Sequence, residues 1–483
     1  MSTLNLTLLT DLYELTMMQG YFKNHNQDVV VFDAFYRNNP CDGGYSVCAG
    51  LAQVIDYIEN LHFDTDDINY LRSLKIFDED FLEYLSNFKF SGDIYAVPEG
   101  SLIFPREPLV KVVAPIMEAQ LIETAILNIV NHQCLIATKA ARVCYAAKGD
   151  NVMEFGLRRA QGPDSGTYGA RAAVIGGCSG TSNVLAGQMF HVPVLGTHAH
   201  SWIMSFPDEY TAFRKYAELY PSACILLVDT YDTLKSGIPN AIRVFTEMRD
   251  AGIPLTYYGI RMDSDLAYLS KQVRKMLDEA GFPDAVISAS NDLDEYLIES
   301  LKLQGAAISS WGVGTNLITS KDNPAFGGVY KLAAIRTADG SFQPKIKLSE
   351  NVEKVTNPGN KTFYRVYDKK TGKIKADLIC LYDETFDESE DLKLFDPNAP
   401  WKKTRLPGGS YTLREMLIPV IKAGKTIYTS PGVMEIREIC NHEKDTIWDE
   451  TKRFVNPQEI YVDLSQKLYD MKTALLNEMS MDS

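Results

Sequence analysis

The chain has 483 residues, enough for two or three domains, and its 45% hydrophobic and 23% charged residues are typical of a globular protein. Its 48 Lys and Arg against 63 Asp and Glu leave a net charge of −15, which argues against nucleic-acid and membrane partners. The N-terminus shows no cationic leader, no apolar run approaches the roughly 18 residues of a membrane helix, and the eight Cys form no C-x-x-C pair. These features predict a cytoplasmic protein with free, buried thiols.

Residues 1–135 are predicted to form an α+β domain. An amphipathic helix is expected from Leu8 to Met18, because its apolar residues recur at helical spacing. Segments rich in β-branched and aromatic residues follow, and these residue types favour strands. Examples are "VVVFDAFYR" and "GDIYAVPEGSLIF".

Residues 136–340 show a different pattern, in which short apolar runs alternate with helical segments that end at glycine. Such helices are expected in "IPNAIRVFTEMRDAG", from a cap at Ser264 to Gly281, and from Asp292 to Gly305. The alternation predicts a parallel sheet, and we expect an irregular TIM-like α/β barrel. The predicted strands are "NVMEFGL", "VPVLGTH", "CILLVDT", "LTYYGIR", "AVISAS", "AAISSWGVG" and "GGVYKLAAI".

Residues 341–483 are expected to form a small C-terminal α+β region. The segment "FYRVYDKKTGKIKADLICLYD" predicts a β-hairpin, and "DETFDESEDLK" predicts a solvated acidic loop. The last residues, "IYVDLSQKLYDMKTALLNEM", predict an amphipathic helix that packs back on the N-terminal domain. The chain is therefore assigned to the α/β class, with an N-terminal α+β domain, a TIM-like barrel and this C-terminal region.

Two of the seven histidines, His198 and His200, follow the apolar run Val192–Leu195. Residues at i and i+2 of a strand point to the same face, so the pair is compatible with a metal site. A metal-dependent barrel hydrolase is therefore an alternative, although no further histidine lies at a later strand end. The other interpretation is that both histidines are structural, with their ring nitrogens hydrogen-bonded within the fold.

Charged residues and glycines also collect where the predicted strands end, at the rim on which barrel enzymes build their sites. Arginine binds carboxylate or phosphate in a bidentate manner, and carboxylates bind ribose hydroxyls or Mg²⁺. A glycine turn with nearby lysines can hold phosphate. Together they predict a site for a phosphorylated sugar and a small carboxylate. The residues are Arg158, Arg159 and Arg261; Asp229 and Asp292; and Gly312, Gly314, Thr315, Lys321 and Lys331.

Several blocks of the sequence, in this order, resemble the nicotinate phosphoribosyltransferase family. The resemblance implies transfer of phosphoribosyl from phosphoribosyl pyrophosphate to nicotinate, which gives nicotinate mononucleotide and pyrophosphate in the first step of NAD salvage. It also implies Mg²⁺, ATP as a co-substrate in the same pocket, and a homodimer with shared active sites. The blocks are "LLTDLYELTMMQGYF", "EFGLRRAQGPDSG", "GTSNVLAG", "VLGTHAHSW", "RMDSDL", "GVGTNL" and "GGVYKL".

The resemblance also implies roles for individual residues. His200 would be the transient phosphohistidine that couples the transfer to ATP hydrolysis, whereas His198 lies at a variable position of the motif. Asp229 and Asp263 would be catalytic and would bind Mg²⁺. The implied substrate contacts are Thr197 and Arg261 at nicotinate, Phe155 stacked on its ring beside Arg158, Tyr13 from the partner subunit, Asp292 at the ribose, Gly312, Gly314 and Thr315 at the 5′-phosphate, and Lys321 and Lys331 at the other phosphates.

Two positions bear on substrate choice and loop geometry. Nicotinamide-using relatives carry an Asp after Gly-Thr, where this chain has Ser182, so nicotinate is the expected substrate. Enzymes that use nicotinamide or quinolinate remain the alternatives within the same chemistry, and a non-catalytic barrel is a further one. Relatives commonly show Ser-Gly-Asp where this chain has Ser264 followed by Asp265, so its loop departs from the family pattern.

Overall fold

The computed structural model describes residues 5–348, 355–397, 399 and 401–481. These residues adopt a mixed α/β fold in two compact units. The first unit takes its described residues from 1–135, 325–431 and 438–483, and the second from 136–324 and 432–437. Within the described ranges, no helix has both the length and the hydropathy that crossing a membrane requires.

The helices of the described residues are α1 (Leu12–Lys23), α2 (Leu51–Asn60), α3 (Thr65–Ser73), α4 (Glu79–Ser86), α5 (Ile116–Leu121), α6 (Glu123–Ala146), α7 (Pro163–Gly176), α8 (Val184–Phe190), α9 (His200–Met204), α10 (Glu209–Leu219), α11 (Ile238–Asp250), α12 (Leu266–Glu279), α13 (Glu295–Leu303), α14 (Thr315–Ile318), α15 (Val433–Asp445), α16 (Asp449–Lys452) and α17 (Gln466–Met481). Short 3₁₀ turns cover Pro40–Asp42, Leu157–Arg159 and Pro221–Ala223, and a π turn covers Thr233–Gly237.

The strands are β1 (Val29–Phe35), β2 (Ser46–Val47), β3 (Asp93–Ala96), β4 (Leu102–Ile103), β5 (Val110–Pro115), β6 (Asn151–Glu154), β7 (Gly180–Thr181), β8 (Cys224–Leu227), β9 (Tyr258–Met262), β10 (Val286–Ala289), β11 (Ser310–Val313), β12 (Val329–Arg336), β13 (Phe342–Pro344), β14 (Lys361–Asp368), β15 (Ile374–Leu381), β16 (Leu392–Phe395), β17 (Lys403–Leu406), β18 (Tyr411–Glu415), β19 (Ile418–Lys422), β20 (Lys425–Thr426) and β21 (Tyr461–Leu464).

The first unit is built on two larger sheets. One has the order β13-β12-β1-β5-β3-β19-β20, and the other has the order β17-β16-β21-β15-β14-β18. The predicted hairpin is present as the antiparallel pair β14 and β15. A core of apolar side chains packs between the seven-stranded sheet and α1–α6, and Phe32 stacks on Tyr330 within it at 4.6 Å between ring centroids.

The second unit is built on a parallel sheet with the order β7-β6-β11-β10-β9-β8. Its strands are short, as expected for strands covered on both faces, and both the edge strand β8 and the central strand β11 are buried along their whole length. The predicted helices between them are present as α11, α12 and α13. The segment after α8 contacts both edges of this sheet: Val194 bridges Thr181 of β7, and His198 accepts a hydrogen bond from Leu227 of β8.

Three expectations about elements are wrong. The run Val192–Leu195 is not a strand but a single bridge, because Pro193 has no N–H to extend the ladder. The segment "GGVYKLAAI" does not join the parallel sheet; it is β12, which pairs antiparallel with β1. The cap of α12 is Asp265, in a left-handed conformation (φ 46°), rather than Ser264. That conformation favours glycine.

Candidate active site

The polar residues of the second unit lie at the carboxyl ends of its parallel strands. Because all six strands run in the same direction, their carboxyl ends lie along the same side of the sheet. The local sequence changes there from buried apolar residues to short polar turns. The residues at or just after the strand ends are Ser182 (β7), Phe155 (β6), Gly314 (β11), Ser290 (β10), Asp263 (β9) and Asp229 (β8).

Arg261 is directed toward the segment that carries the two histidines. Its Nη1 donates a hydrogen bond to Oγ1 of Thr197, and its Nε lies 3.6 Å from Oδ1 of Asp263. Nε itself is buried and has no hydrogen-bond partner among the described residues. The guanidinium is mostly buried and already faces the carboxylate of Asp263, and a guanidinium group can also bind a substrate carboxylate.

Asp229 and Asp263 form a linked pair. The backbone N–H of Asp263 donates to Oδ2 of Asp229 at 2.6 Å, and the hydroxyl of Ser290 donates to Oδ1 of Asp263. Burial raises the pKa of Asp229, and the charge of Asp263 adds to that effect. Oδ1 of Asp229 is buried without a hydrogen-bond partner in the described structure.

The two histidines have different environments. His200 is the first residue of α9, is half-buried, and has its Nδ1 3.0 Å from Oγ1 of Thr230. The ring of His198 is buried, lies edge-on to Tyr216 at 4.6 Å, and accepts the N–H of Leu227 at Nε2. Burial lowers the pKa of His198 to about 4, so it is neutral at physiological pH.

Phe155 packs against Gly312 of β11 and against Gly314, the residue that follows this strand. A Cβ added to Gly312 would lie 2.6 Å from Cδ2 of Phe155, so a side chain there would displace the ring. A Cβ on Gly314 would lie 3.2 Å from the backbone oxygen of Phe155. The aromatic ring therefore lies against bare backbone at the strand end, and Thr315 follows directly as the first residue of α14.

Other candidates are placed differently. Arg158 lies in the 3₁₀ turn after β6, and its side chain is exposed, as are those of Asp292 and Lys321. The backbone oxygen of Asp292 accepts a hydrogen bond from Asn316, which fixes its loop. Tyr13 and Lys331 belong to the first unit: Tyr13 is 46% exposed on α1, and Lys331 lies on β12.

The two carboxylates at the carboxyl ends of these strands are suitable ligands for Mg²⁺. Among the described residues, no group of three or more His, Cys, Asp and Glu side chains is arranged around one metal position. Mg²⁺ requires fewer protein ligands, because it keeps waters and binds one or two carboxylates together with substrate phosphates. Asp229 and Asp263 meet that requirement. Nε2 of His198 accepts the N–H of Leu227, so this ring nitrogen is not available to a metal ion.

Two residues that the sequence analysis did not identify orient candidate side chains of the site. Thr230 is the hydrogen-bond partner of His200, and Ser290 is the partner of Asp263. Both residues follow buried strands, in "LLVDT" and "ISAS". Their position at strand ends could therefore have identified them as candidate site residues. Their partners depend on the register between strands, which a single sequence does not reveal.

The sequence matches three models of one protein family, and together they cover nearly its whole length. Residues 8–131 match the nicotinate phosphoribosyltransferase (NAPRTase) N-terminal domain, residues 151–371 the NAPRTase family, and residues 360–472 the C-terminal domain. The Bacillus subtilis (strain 168) nicotinate phosphoribosyltransferase is 46% identical over 477 residues, which cover 98% of this chain and 96% of that protein.

Solved structures agree with the sequence matches. The crystal structure of human nicotinic acid phosphoribosyltransferase superimposes with a TM-score of 0.83 and 28% identity, covering 97% of this chain and 100% of that one. A nicotinate-nucleotide pyrophosphorylase from Pyrococcus furiosus shares the fold, with a TM-score of 0.69, 22% identity, and coverage of 92% and 96%. The chain therefore belongs to the nicotinate phosphoribosyltransferase family and is an enzyme of that type.

Proposed function

We propose that the enzyme transfers phosphoribosyl from phosphoribosyl pyrophosphate to nicotinate, the first step of NAD salvage from nicotinate. The observation that carries this proposal is the position of Arg261 at the end of β9, where its Nη1 donates to Thr197 and its Nε lies 3.6 Å from Asp263. The nicotinate carboxylate would complete the pairing of the guanidinium. The ring would then lie beside Phe155, against the bare backbone of Gly312.

In the reaction, the ring nitrogen of nicotinate attacks the anomeric carbon of the donor. The new C–N bond forms as the C–O bond to pyrophosphate breaks, and the electron pair leaves with pyrophosphate. Asp229 and Asp263 lie at adjacent strand ends, where their negative charge would stabilise the positive charge that develops on the ribose. Mg²⁺ held by the same two carboxylates would neutralise the leaving pyrophosphate.

We further propose that His200 is phosphorylated by ATP, so that the enzyme acts as an ATP-coupled ligase. The ring is half-buried at the start of α9, and Thr230 fixes its orientation through Nδ1. A phosphoryl group on it would add negative charge and oxygen ligands beside the carboxylates, where they could hold Mg²⁺ and the donor. Hydrolysis of the N–P bond would then drive the transfer forward.

The finer architecture is also a proposal. The parallel sheet is assigned to an irregular TIM-like barrel, because the segment from Val194 to His198 contacts both edge strands. A cytoplasmic homodimer is proposed, in which Tyr13 of one subunit reaches the nicotinate of the other. Exposed apolar side chains on two helices support such an interface. They are Leu12, Tyr13 and Met17 on α1, and Val184, Leu185 and Met189 on α8.

The experiment that tests this function is a comparison of three ring acceptors with phosphoribosyl pyrophosphate and Mg²⁺, with the mononucleotides separated by chromatography. Nicotinate should give the highest kcat/KM. A higher value for nicotinamide or quinolinate would reassign the substrate. Absence of any mononucleotide, with one zinc per chain by elemental analysis, would favour a metal-dependent hydrolase instead.

A further inference from the structure

Glu154 is a buried acid that the proposed reaction does not use. It is the last residue of β6, and its side chain is fully buried. Burial raises the pKa of its carboxyl group, and among the described residues no cation forms an ion pair with it. A buried carboxyl group without a cation is costly unless hydrogen bonds satisfy it, so its partners reveal its role.

Those partners lie on two different strand ends. Oε1 accepts the backbone N–H of Gly156, and Oε2 accepts the hydroxyl of Thr181 at 2.5 Å. The Thr181 oxygen in turn accepts the N–H of Asn183 at 3.0 Å, and the Asn183 amide donates to the backbone oxygen of Gly166 at 3.2 Å. A single carboxyl group thus connects the turns after β6 and β7 and, through Asn183, the helix α7.

The two residues that this network encloses, Phe155 and Ser182, are among those assigned to nicotinate: Phe155 to its ring and Ser182 to the choice between acid and amide. Phe155 lies between Glu154 and Gly156, and Ser182 lies between Thr181 and Asn183. The N–H of Ser182 also donates to the backbone oxygen of Glu154 at 2.9 Å. Gly156 has no room for a side chain, because an added Cβ would overlap Ile318, so its position is constrained as well.

We propose that Glu154 is a positioning residue for the nicotinate site, which sets the separation and orientation of Phe155 and Ser182 without touching the substrate. This inference rests on the proposed function, because it assumes that nicotinate binds between these two residues. The hydrogen bonds of this network join the ends of β6 and β7 and the helix α7, and none of them is made to a side chain assigned to the donor. Phe155 also packs on Gly312 and Gly314, so loss of Glu154 should affect recognition of the ring more than that of phosphoribosyl pyrophosphate.

Three variants test the proposal. Glu154→Ala removes both hydrogen bonds, and Thr181→Val removes the hydroxyl at nearly constant volume. Each should raise the KM for nicotinate about tenfold or more, as expected when a binding group is displaced by a fraction of an ångström. The KM for phosphoribosyl pyrophosphate should stay within about twofold. Glu154→Gln can still accept from Gly156 and bond Thr181, so it should restore the nicotinate KM to within about threefold of wild type.

The matched control is Glu118→Ala. Glu118 is also buried, belongs to the first unit, and accepts a backbone N–H and a hydroxyl, both from Ser91, at 2.6 and 2.8 Å. Its loss should lower the thermal midpoint in the same way as Glu154→Ala and leave both KM values unchanged. If Glu154→Ala does not fold, Thr181→Val carries the test.

The outcomes separate this inference from the proposed function. A wild-type enzyme that forms no nicotinate mononucleotide refutes the function itself. An active wild type whose Thr181→Val variant shows equal changes in both KM values, or a loss of kcat alone, overturns the role of Glu154 and leaves the function standing. A Glu154→Gln variant as impaired as the alanine variant, or a Glu118→Ala variant with the same rise in nicotinate KM, also overturns it.

Discussion

Two histidines separated by one residue have different chemistry because their surroundings differ. His198 lies against aromatic rings and accepts a backbone N–H at Nε2, and its burial keeps the ring neutral. His200 begins a short helix and is oriented by Thr230, with its ring half-buried beside the carboxylates. The motif alone could not distinguish them, because the i, i+2 spacing would place both on one face only if the segment were a strand.

We predict that His200→Ala abolishes the stimulation of the reaction by ATP and leaves a slow, ATP-independent transfer. The matched variant His198→Ala should retain stimulation and lower the thermal midpoint, because Leu227 would lose its hydrogen-bond acceptor, at a cost of about 1–3 kcal/mol. The measurement is the rate of mononucleotide formation with and without ATP. Labelling of His198 rather than His200 by radioactive ATP would show that the assignment is wrong.

The preference for nicotinate is expected to depend on Ser182. An acidic side chain there would repel the carboxylate of nicotinate and accept a hydrogen bond from the amide of nicotinamide. We predict that Ser182→Asp lowers the ratio of kcat/KM for nicotinate to that for nicotinamide by about tenfold or more. Ser182→Asn, which has a similar size and no charge, is the control. An unchanged ratio in the aspartate variant would show that Ser182 does not determine the preference for nicotinate.

At the scale of elements, the sequence predicted the strands and helices whose signals are local. The strands β6, β8, β9, β10 and β11 are short apolar runs, and α11 has Pro239 in its first turn. Local patterns do not predict which strand another strand pairs with. The strand β12 has the same apolar character as the parallel strands, but it pairs antiparallel with β1. Nothing within its own residues encodes that difference.

The helix α1, which carries Tyr13, is anchored by Glu14. The carboxyl group of Glu14 is fully buried and accepts the N–H and the hydroxyl of Thr124, at the start of α6, at 3.1 and 2.8 Å. Burial raises its pKa to about 7. Because this exceeds the ordinary value, the folded state binds the proton more tightly, so the stabilisation is complete below pH ~4.5 and is lost as the pH rises toward 7.

We therefore predict that Glu14→Gln, which imitates the protonated form, has little effect on the thermal midpoint near pH 4.5. Between pH 5 and pH 8 the variant should become progressively more stable than the wild type. The measurement is the thermal midpoint of both proteins across this range. A difference that is constant with pH, or that favours the wild type at pH 8, would contradict the assignment of Glu14.

At the scale of the whole molecule, an acidic protein must bind two anionic substrates. The net charge of −15 repels them at a distance, so local cations such as Arg261 must supply the attraction. The sequence indicated which strand ends bear these groups. It could not indicate that Thr230 and Ser290 orient them, because those contacts cross from one strand to the next.

If active sites are shared between subunits, two inactive variants should complement each other. If each site takes Tyr13 from one subunit and Arg261 from the other, a mixed dimer of a Tyr13→Ala chain and an Arg261→Ala chain contains one site with both defects and one intact site. Refolding the two variants together should recover about a quarter of the wild-type activity, as random pairing in a twofold dimer requires. Each variant refolded alone is the control. Absence of recovery, with mixed dimers shown by mass spectrometry, would rule out shared sites.

The central claim is that the strand ends of the second unit form one pocket for nicotinate and the phosphoribosyl donor. The most direct test is the release of pyrophosphate by the wild-type protein with donor and Mg²⁺, with and without nicotinate and ATP. ATP hydrolysis yields orthophosphate, so pyrophosphate reports the transfer alone. Pyrophosphate release should require nicotinate, equal the mononucleotide formed, and be faster with ATP. Pyrophosphate release that does not depend on nicotinate, or no release at all, would contradict it.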